Sequence, residues 1–148
     1  MSEQVKFPKL FAIDVDKLDA VKIDVQHKWG WEIWLVNSKE MNVCCKLLII
    51  YPGWVSSLHG HETKAEYFII LSGELKLYVY PRMEDVYPDA PGGLPEILEL
   101  DEGQQHFIPE KTYHKFATGT KQFVLLLEIS SYEDELTTKL EASRPIGA

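Results

Sequence analysis

The stretch from Gly53 to Gly73 constrains this chain more than any other. Within it His59 and His61 are two residues apart, so on an extended strand both imidazoles project from one face. Glu66 follows a turn, placed to open the next strand and fold its carboxylate back towards the pair. A third histidine, His114, comes from a distant segment behind Pro109. Three imidazoles and one carboxylate make half a coordination shell. Such a shell leaves positions open for water or substrate, as catalytic metal sites do and closed structural ones do not. Nitrogen and oxygen donors without a thiolate suit one divalent ion per chain. Manganese is the leading expectation, with zinc, iron, cobalt or nickel equally compatible with the donor types.

The segments around this stretch read as short strands. Val43 to Tyr51 is an apolar run rich in β-formers, stopped by Pro52-Gly53. Tyr67 to Leu71 and Leu75 to Tyr80 flank Ser72-Gly73-Glu74, the pattern of a hairpin with glycine at its turn. Glu96 to Leu100, Gln105 to Ile108, Tyr113 to Ala117 and Gln122 to Ile129 continue the series. Regularly punctuated short strands imply an all-β sandwich or barrel. Several are apolar on both faces, so one side of the barrel needs a cover from a partner or from the terminal segments. Val86 to Gly93, rich in Pro and Gly, is a loop within one domain spanning 1–148. Helices are expected only near the termini. Ser131 caps Tyr132 to Leu140, with Glu133, Asp134 and Glu135 favouring the helix start, and a short turn covers Asp16 to Val21.

Composition narrows the function classes. A net charge of −8 over 148 residues supplies no basic stripe for phosphates, which argues against nucleic-acid binding. The two cysteines, Cys44 and Cys45, are adjacent and should point to opposite strand faces as free thiols, as in a reducing compartment. The N-terminal residues show no signal-peptide core, and no window approaches the roughly 18 apolar residues of a membrane span. A soluble, cytoplasmic protein is the expectation.

The spacing Gly53, His59, His61, Glu66, Gly73 resembles the first cupin motif, G-x5-H-x-H-x4-E-x6-G, at every fixed position. Gly103, Pro109 and His114 match the second, G-x5-P-x-G-x2-H-x3-N, which departs at Lys111 (glycine in the motif) and Thr118 (asparagine). The resemblance covers 53–118 and implies a jelly-roll barrel (a double-stranded β-helix) with His59, His61, Glu66 and His114 as metal ligands. Ahead of the barrel, Lys28-Trp29-Gly30-Trp31-Glu32 resembles the K-W-G-x-E segment of sugar-isomerase cupins, including the mannose-6-phosphate isomerase type. Lys64, two residues before Glu66, stands where metal-dependent D-lyxose isomerases carry a lysine. Leu127 to Ser130, followed by acidic residues, is similar to the end of that group's barrel.

This likeness implies an aldose–ketose isomerase acting on a small sugar such as D-lyxose or D-mannose through an enediol. A metal would stabilise the enediolate charge, and a base would carry the proton between carbons. Lys64 and Glu128 are the candidate catalytic residues. Alternation along Gln122 to Ile129 puts Glu128 on the face of Val124 and Leu126, where burial would raise its pKa. A turn lysine such as Lys64 is otherwise a solvated charge, and Glu62 beside it is read as one. Trp29, Trp31 and Trp34 suit either sugar stacking or core packing. Lys28 and Glu32 suit a structural ion pair. His27 and His106 carry no assigned role. A metal-dependent cupin dioxygenase and a non-catalytic sugar-binding cupin are the alternatives. The resemblance also implies a homodimer, with Tyr78 and Tyr80 as candidate contacts.

Overall fold

The computed structural model describes residues 19–20, 22–80, 94–134 and 138–147. These residues form two antiparallel sheets. The first runs in the order β1 (Lys22–His27), β2 (Gly30–Ser38), β3 (Val43–Ile50), β11 (Val124–Ser130), β6 (Glu66–Ser72) and β9 (Gln105–Ile108). In the second, β10 (Tyr113–Thr118) is the central strand. The short strands β4 (Trp54–Val55) and β5 (Leu58–Gly60) line one of its edges, and β7 (Leu75–Tyr80) followed by β8 (Glu96–Leu100) lines the other. β12 (Thr138–Glu141) and β13 (Arg144–Pro145) then pair with β5 and β4.

Side chains alternate across each strand, and the inward set divides by position. Leu48 and Ile50 of β3, Phe68 and Ile70 of β6, Leu75, Leu77 and Val79 of β7, and Val124 and Leu126 of β11 form one apolar core with Phe116. Further along the same inner faces the residues change character, to Lys46 on β3, Glu66 on β6 and Glu128 on β11, all buried. One half of the interior is therefore apolar and the other charged. The outer face of the six-stranded sheet carries a second cluster, Ile33, Ile49 and Leu125, packed with Trp31, Leu35 and Leu47. That cluster accounts for strands that are apolar on both faces.

Two glycines are required by backbone geometry. Gly30 starts β2 at φ +152°, and a Cβ there would stand 1.8 Å from the Ile49 carbonyl oxygen. Gly73 turns β6 into β7 at φ +86°, with the Phe123 carbonyl 2.6 Å from where a Cβ would lie.

The strands expected between residues 43 and 130 form, with ends displaced by at most two residues. β1, β2 and the two-residue strands β4 and β13 were not anticipated as strands. The helix expected over Tyr132 to Leu140 is overturned: Thr138–Glu141 is β12, in register with β5, and there is no helix among the described residues. A run of acidic residues favours a helix start only weakly, and here the open edge of β5 offers inter-strand hydrogen bonds instead. The turn expected over Asp16 to Val21 falls largely outside the described residues, and the loop at Val86 to Gly93 lies wholly outside them.

Candidate metal centre and active site

Strand register brings the distant histidine to the pair. On β5 and β10, His59 and His114 are directly opposite one another, and their rings approach to 4.3 Å between centroids. His61 follows β5 directly, and its carbonyl accepts a hydrogen bond from the Lys111 N–H at 2.8 Å. Lys111 adopts φ +58°, the left-handed conformation for which the motif uses glycine, so the turn forms despite the lysine. Thr118, in place of the motif's asparagine, is buried. Its hydroxyl donates to the Tyr51 carbonyl at 2.9 Å and accepts from the Trp54 N–H at 3.0 Å, tying β4 to the end of β10.

Glu66 lies at the middle of this group. Its Oε1 is 3.2 Å from His61 Nε2 and 3.0 Å from Lys64 Nζ, and its Oε2 is 3.3 Å from His114 Nε2. Burial works to raise the Glu66 carboxyl, but His114, His61 and Lys64 together hold it well below its ordinary value. Full burial, with His59 alongside, pushes the His114 imidazolium down to about 3. Desolvation lowers His59 as well. Both imidazoles are thus neutral near pH 7, the form that donates a lone pair to a metal. His59 Nδ1 donates to the Ser57 carbonyl at 2.8 Å, which fixes the tautomer and leaves Nε2 as the acceptor nitrogen.

A divalent ion fits the chemistry of this donor set. Both Glu66 oxygens and both His114 nitrogens are buried without a hydrogen-bond partner of good geometry, although His114 Nε2 and Glu66 Oε2 stand 3.3 Å apart. Buried polar atoms in that condition are uncommon and costly unless something engages them. The side chains are gathered rather than poised. Among the described residues no three histidine, cysteine, aspartate or glutamate side chains stand in a ready metal-holding group.

Lys64 is not the solvated turn residue its position suggests; it is buried in the charged half of the interior. Burial would lower its pKa, but Glu128, Glu66 and Glu133 more than offset this and raise it above the ordinary lysine range, so it is an ammonium. Glu128 is buried where the alternation of β11 put it, in register with Lys46 of β3. Its Oε2 lies 3.8 Å from Lys46 Nζ and 3.9 Å from Lys64 Nζ. Burial, with Glu66 nearby, pushes the Glu128 carboxyl up to about 7.

Two members of the group, Lys46 and Glu133, were missed in the sequence. The Glu133 carboxylate accepts hydrogen bonds from Lys64 and, at 3.3 Å, from Lys46. Lys46 Nζ also sits 4.0 Å from the Trp34 ring centroid. Lys46 could have been found from the register of two alternating strands; Glu133 had no signal, lying in a run read as helical. The group lines a cavity of about 350 Å³ whose other wall carries His27, Trp29, Glu32 and Trp34. Glu32 pairs with His27 at 2.9 Å, not with Lys28, and the His27 ring stacks on Trp29 at 4.6 Å. Burial works to raise Glu32, but the His27 hydrogen bond and the Lys46 charge leave it below its ordinary value. Trp31 turns away to the outer cluster and Glu62 is exposed.

Solved structures of oxalate decarboxylase share this architecture. One described for its substrate-binding mode superposes at a TM-score of 0.63 with 17% identity over 79% of this chain. The Bacillus subtilis enzyme described for its Mn(II) centres superposes at 0.64 with 17% identity over 80% of this chain. The fold is that of the cupins. This chain spans about 30% of the length of those decarboxylase chains, and at such identity the likeness is one of cupin fold alone. No protein-family model and no curated protein matches the sequence.

Proposed function

We propose that this cupin is a metal-dependent aldose–ketose isomerase of a small sugar, D-lyxose or D-mannose being the substrates that its sequence resemblance implies. One observation carries the reading: a buried carboxyl, Glu128, and a buried ammonium, Lys64, face the same cavity as His59, His61 and Glu66, with Trp29 and Trp34 on its walls and His114 fully buried behind it. Isomerisation needs that pairing, a base for a carbon-bound proton beside a donor for the oxygen that becomes negative.

His59, His61, Glu66 and His114 would hold one divalent ion, foremost manganese. When bound, the ion supplies Lewis acidity to neighbouring carbonyl and hydroxyl oxygens. The Glu128 carboxylate takes the proton from C2 of the aldose and returns it to C1, while the hydroxyl proton at O2 passes to O1, so the aldehyde becomes a hydroxymethyl group and C2 a ketone. A pKa near 7 suits both halves of that transfer. Lys64, fixed as an ammonium, donates to the oxygen on which charge develops and is not the base. The tryptophan walls exclude water and offer flat apolar surfaces to a sugar ring. Both lysines are already engaged by Glu133, with Glu128 beside them, which favours a neutral sugar over a phosphorylated one.

The test is incubation of the metal-stripped protein with Mn2+ and, separately, D-lyxose, D-mannose and mannose 6-phosphate in D2O, read by NMR. Oxalate is run in parallel, because the structural neighbours are oxalate decarboxylases. Ketose that forms only with metal, and not in His114→Ala, supports the reading; deuterium at C1 or C2 supports the enediol route. No ketose with Mn, Fe, Co, Ni or Zn overturns it, and formate from oxalate would replace it with decarboxylation.

A further inference from the structure

Glu133 belongs to neither motif, yet it is the carboxylate on which two buried lysines from different parts of the sheet converge: Lys46 from β3 and Lys64 from the turn before β6. Its backbone is held with equal care. The Asn37 side chain, on β2, accepts from the Glu133 N–H through Oδ1 at 3.0 Å and donates to the Glu133 carbonyl through Nδ2 at 3.2 Å. One residue earlier, the Tyr132 N–H donates to Asn42 Oδ1 at 3.1 Å. An irregular segment after β11 is thereby fixed by two asparagines, one at the end of β2 and one just beyond it.

The consequence lies at Glu66. Lys64 Nζ is 3.0 Å from Glu66 Oε1, an oxygen that a metal would need. An ammonium and a divalent cation compete for the same carboxylate. Glu133 offers Lys64 a second anion in direct contact, whereas Glu128 stands 3.9 Å away. Without the Glu133 charge, Glu66 becomes the nearest carboxylate for that ammonium.

We propose that Asn37 and Glu133 act together as positioning residues, Asn37 fixing the backbone so that the Glu133 carboxylate competes with Glu66 for the Lys64 ammonium and so keeps Glu66 available to a divalent ion. This rests on the assignment of Glu66 as a metal ligand, and the experiment separates the two ideas. Mn2+ binding to the full chain is followed by EPR titration for the parent protein, Glu133→Gln, Asn37→Ala and the double variant, with near-UV circular dichroism confirming the native fold. Loss of an outer partner of a metal ligand commonly costs about 10–100-fold in affinity, and that weakening is expected in both single variants. The double variant should be no weaker than Glu133→Gln, because both changes interrupt one pathway. Adding Lys64→Met to Glu133→Gln should restore affinity, since the competing ammonium is then gone; a purely structural role for Glu133 would predict no rescue.

Unchanged Mn2+ affinity in Glu133→Gln and Asn37→Ala, beside binding in the parent, overturns this inference alone. Weakening that Lys64→Met fails to rescue overturns it too. A parent protein that binds none of Mn2+, Co2+ or Zn2+ overturns the metal assignment and this inference together.

Discussion

Glu128 continues an inward row whose earlier members, Val124 and Leu126, are core residues, and its burial is an expense to the fold. A carboxyl raised to about 7 keeps its proton in the folded chain at pH values where the unfolded chain, near the ordinary 4.5, has released it. Stability from this group therefore falls as pH rises from 4.5 to 7, and the full penalty stands above 7. Glu128→Gln removes the penalty while keeping the shape. At pH 8 the variant should melt no lower than the parent, while isomerase turnover drops by about 10²–10⁴-fold, the usual contribution of a general base. Differential scanning calorimetry and the NMR assay read the two effects separately. Turnover within a few-fold of the parent would remove Glu128 from the reaction. A melting temperature well below the parent's would show the carboxylate to be a structural ion-pair partner of the lysines.

At the scale of the element, legibility followed alternation and punctuation. Most strands between Val43 and Ser130 could be read because they alternate or run apolar between clear turn residues, and His59, Glu66 and His114 lie on strands with His61 just past β5. β2 was obscured because its strand character and the Lys28-to-Glu32 motif occupy the same residues: Trp31, Ile33 and Leu35 face the outer cluster while Glu32 and Trp34 face the cavity. β12 was misread for lack of any local signal, since its pairing with β5 is a tertiary contact between residues almost eighty apart. The charged floor was half legible. Glu128 follows from alternation, whereas Glu133 lies in an irregular segment whose backbone is held by hydrogen bonds to the Asn37 side chain, a tertiary contact with no local signal. The glycine of the same motif is explained by packing rather than chemistry. Gly30→Ala drives a methyl into the Ile49 carbonyl where β2 meets β3. The variant should lose about 1–3 kcal/mol or more by urea denaturation, the scale of forced overpacking. A loss under about 0.5 kcal/mol would mean the strand end shifts freely, as surface positions do.

Across the whole molecule, the division of the interior into an apolar half and a charged half sets a trade between stability and function. The apolar half, from Leu48 through Phe68 to Leu126, supplies the packing that holds the two sheets together. The other half encloses two lysines and three glutamates, Lys46, Lys64, Glu66, Glu128 and Glu133, where aliphatic residues of similar volume would often be as stable or more so. It also holds the unaligned polar atoms of Glu66 and His114. A ligand that engages those atoms in the folded chain alone must stabilise the fold by mass action. At Mn2+ a hundredfold above its dissociation constant the gain is about 2.7 kcal/mol, which for a chain of this size corresponds to roughly 5–10 °C in melting temperature. Thermal melts with added Mn2+, and again after EDTA, should show that rise and its reversal. His114→Ala should melt at the same temperature with and without Mn2+. A parent melting temperature indifferent to Mn, Fe, Co, Ni and Zn would mean that the four side chains gather for the sake of the barrel and that the charged half serves a metal-free ligand instead.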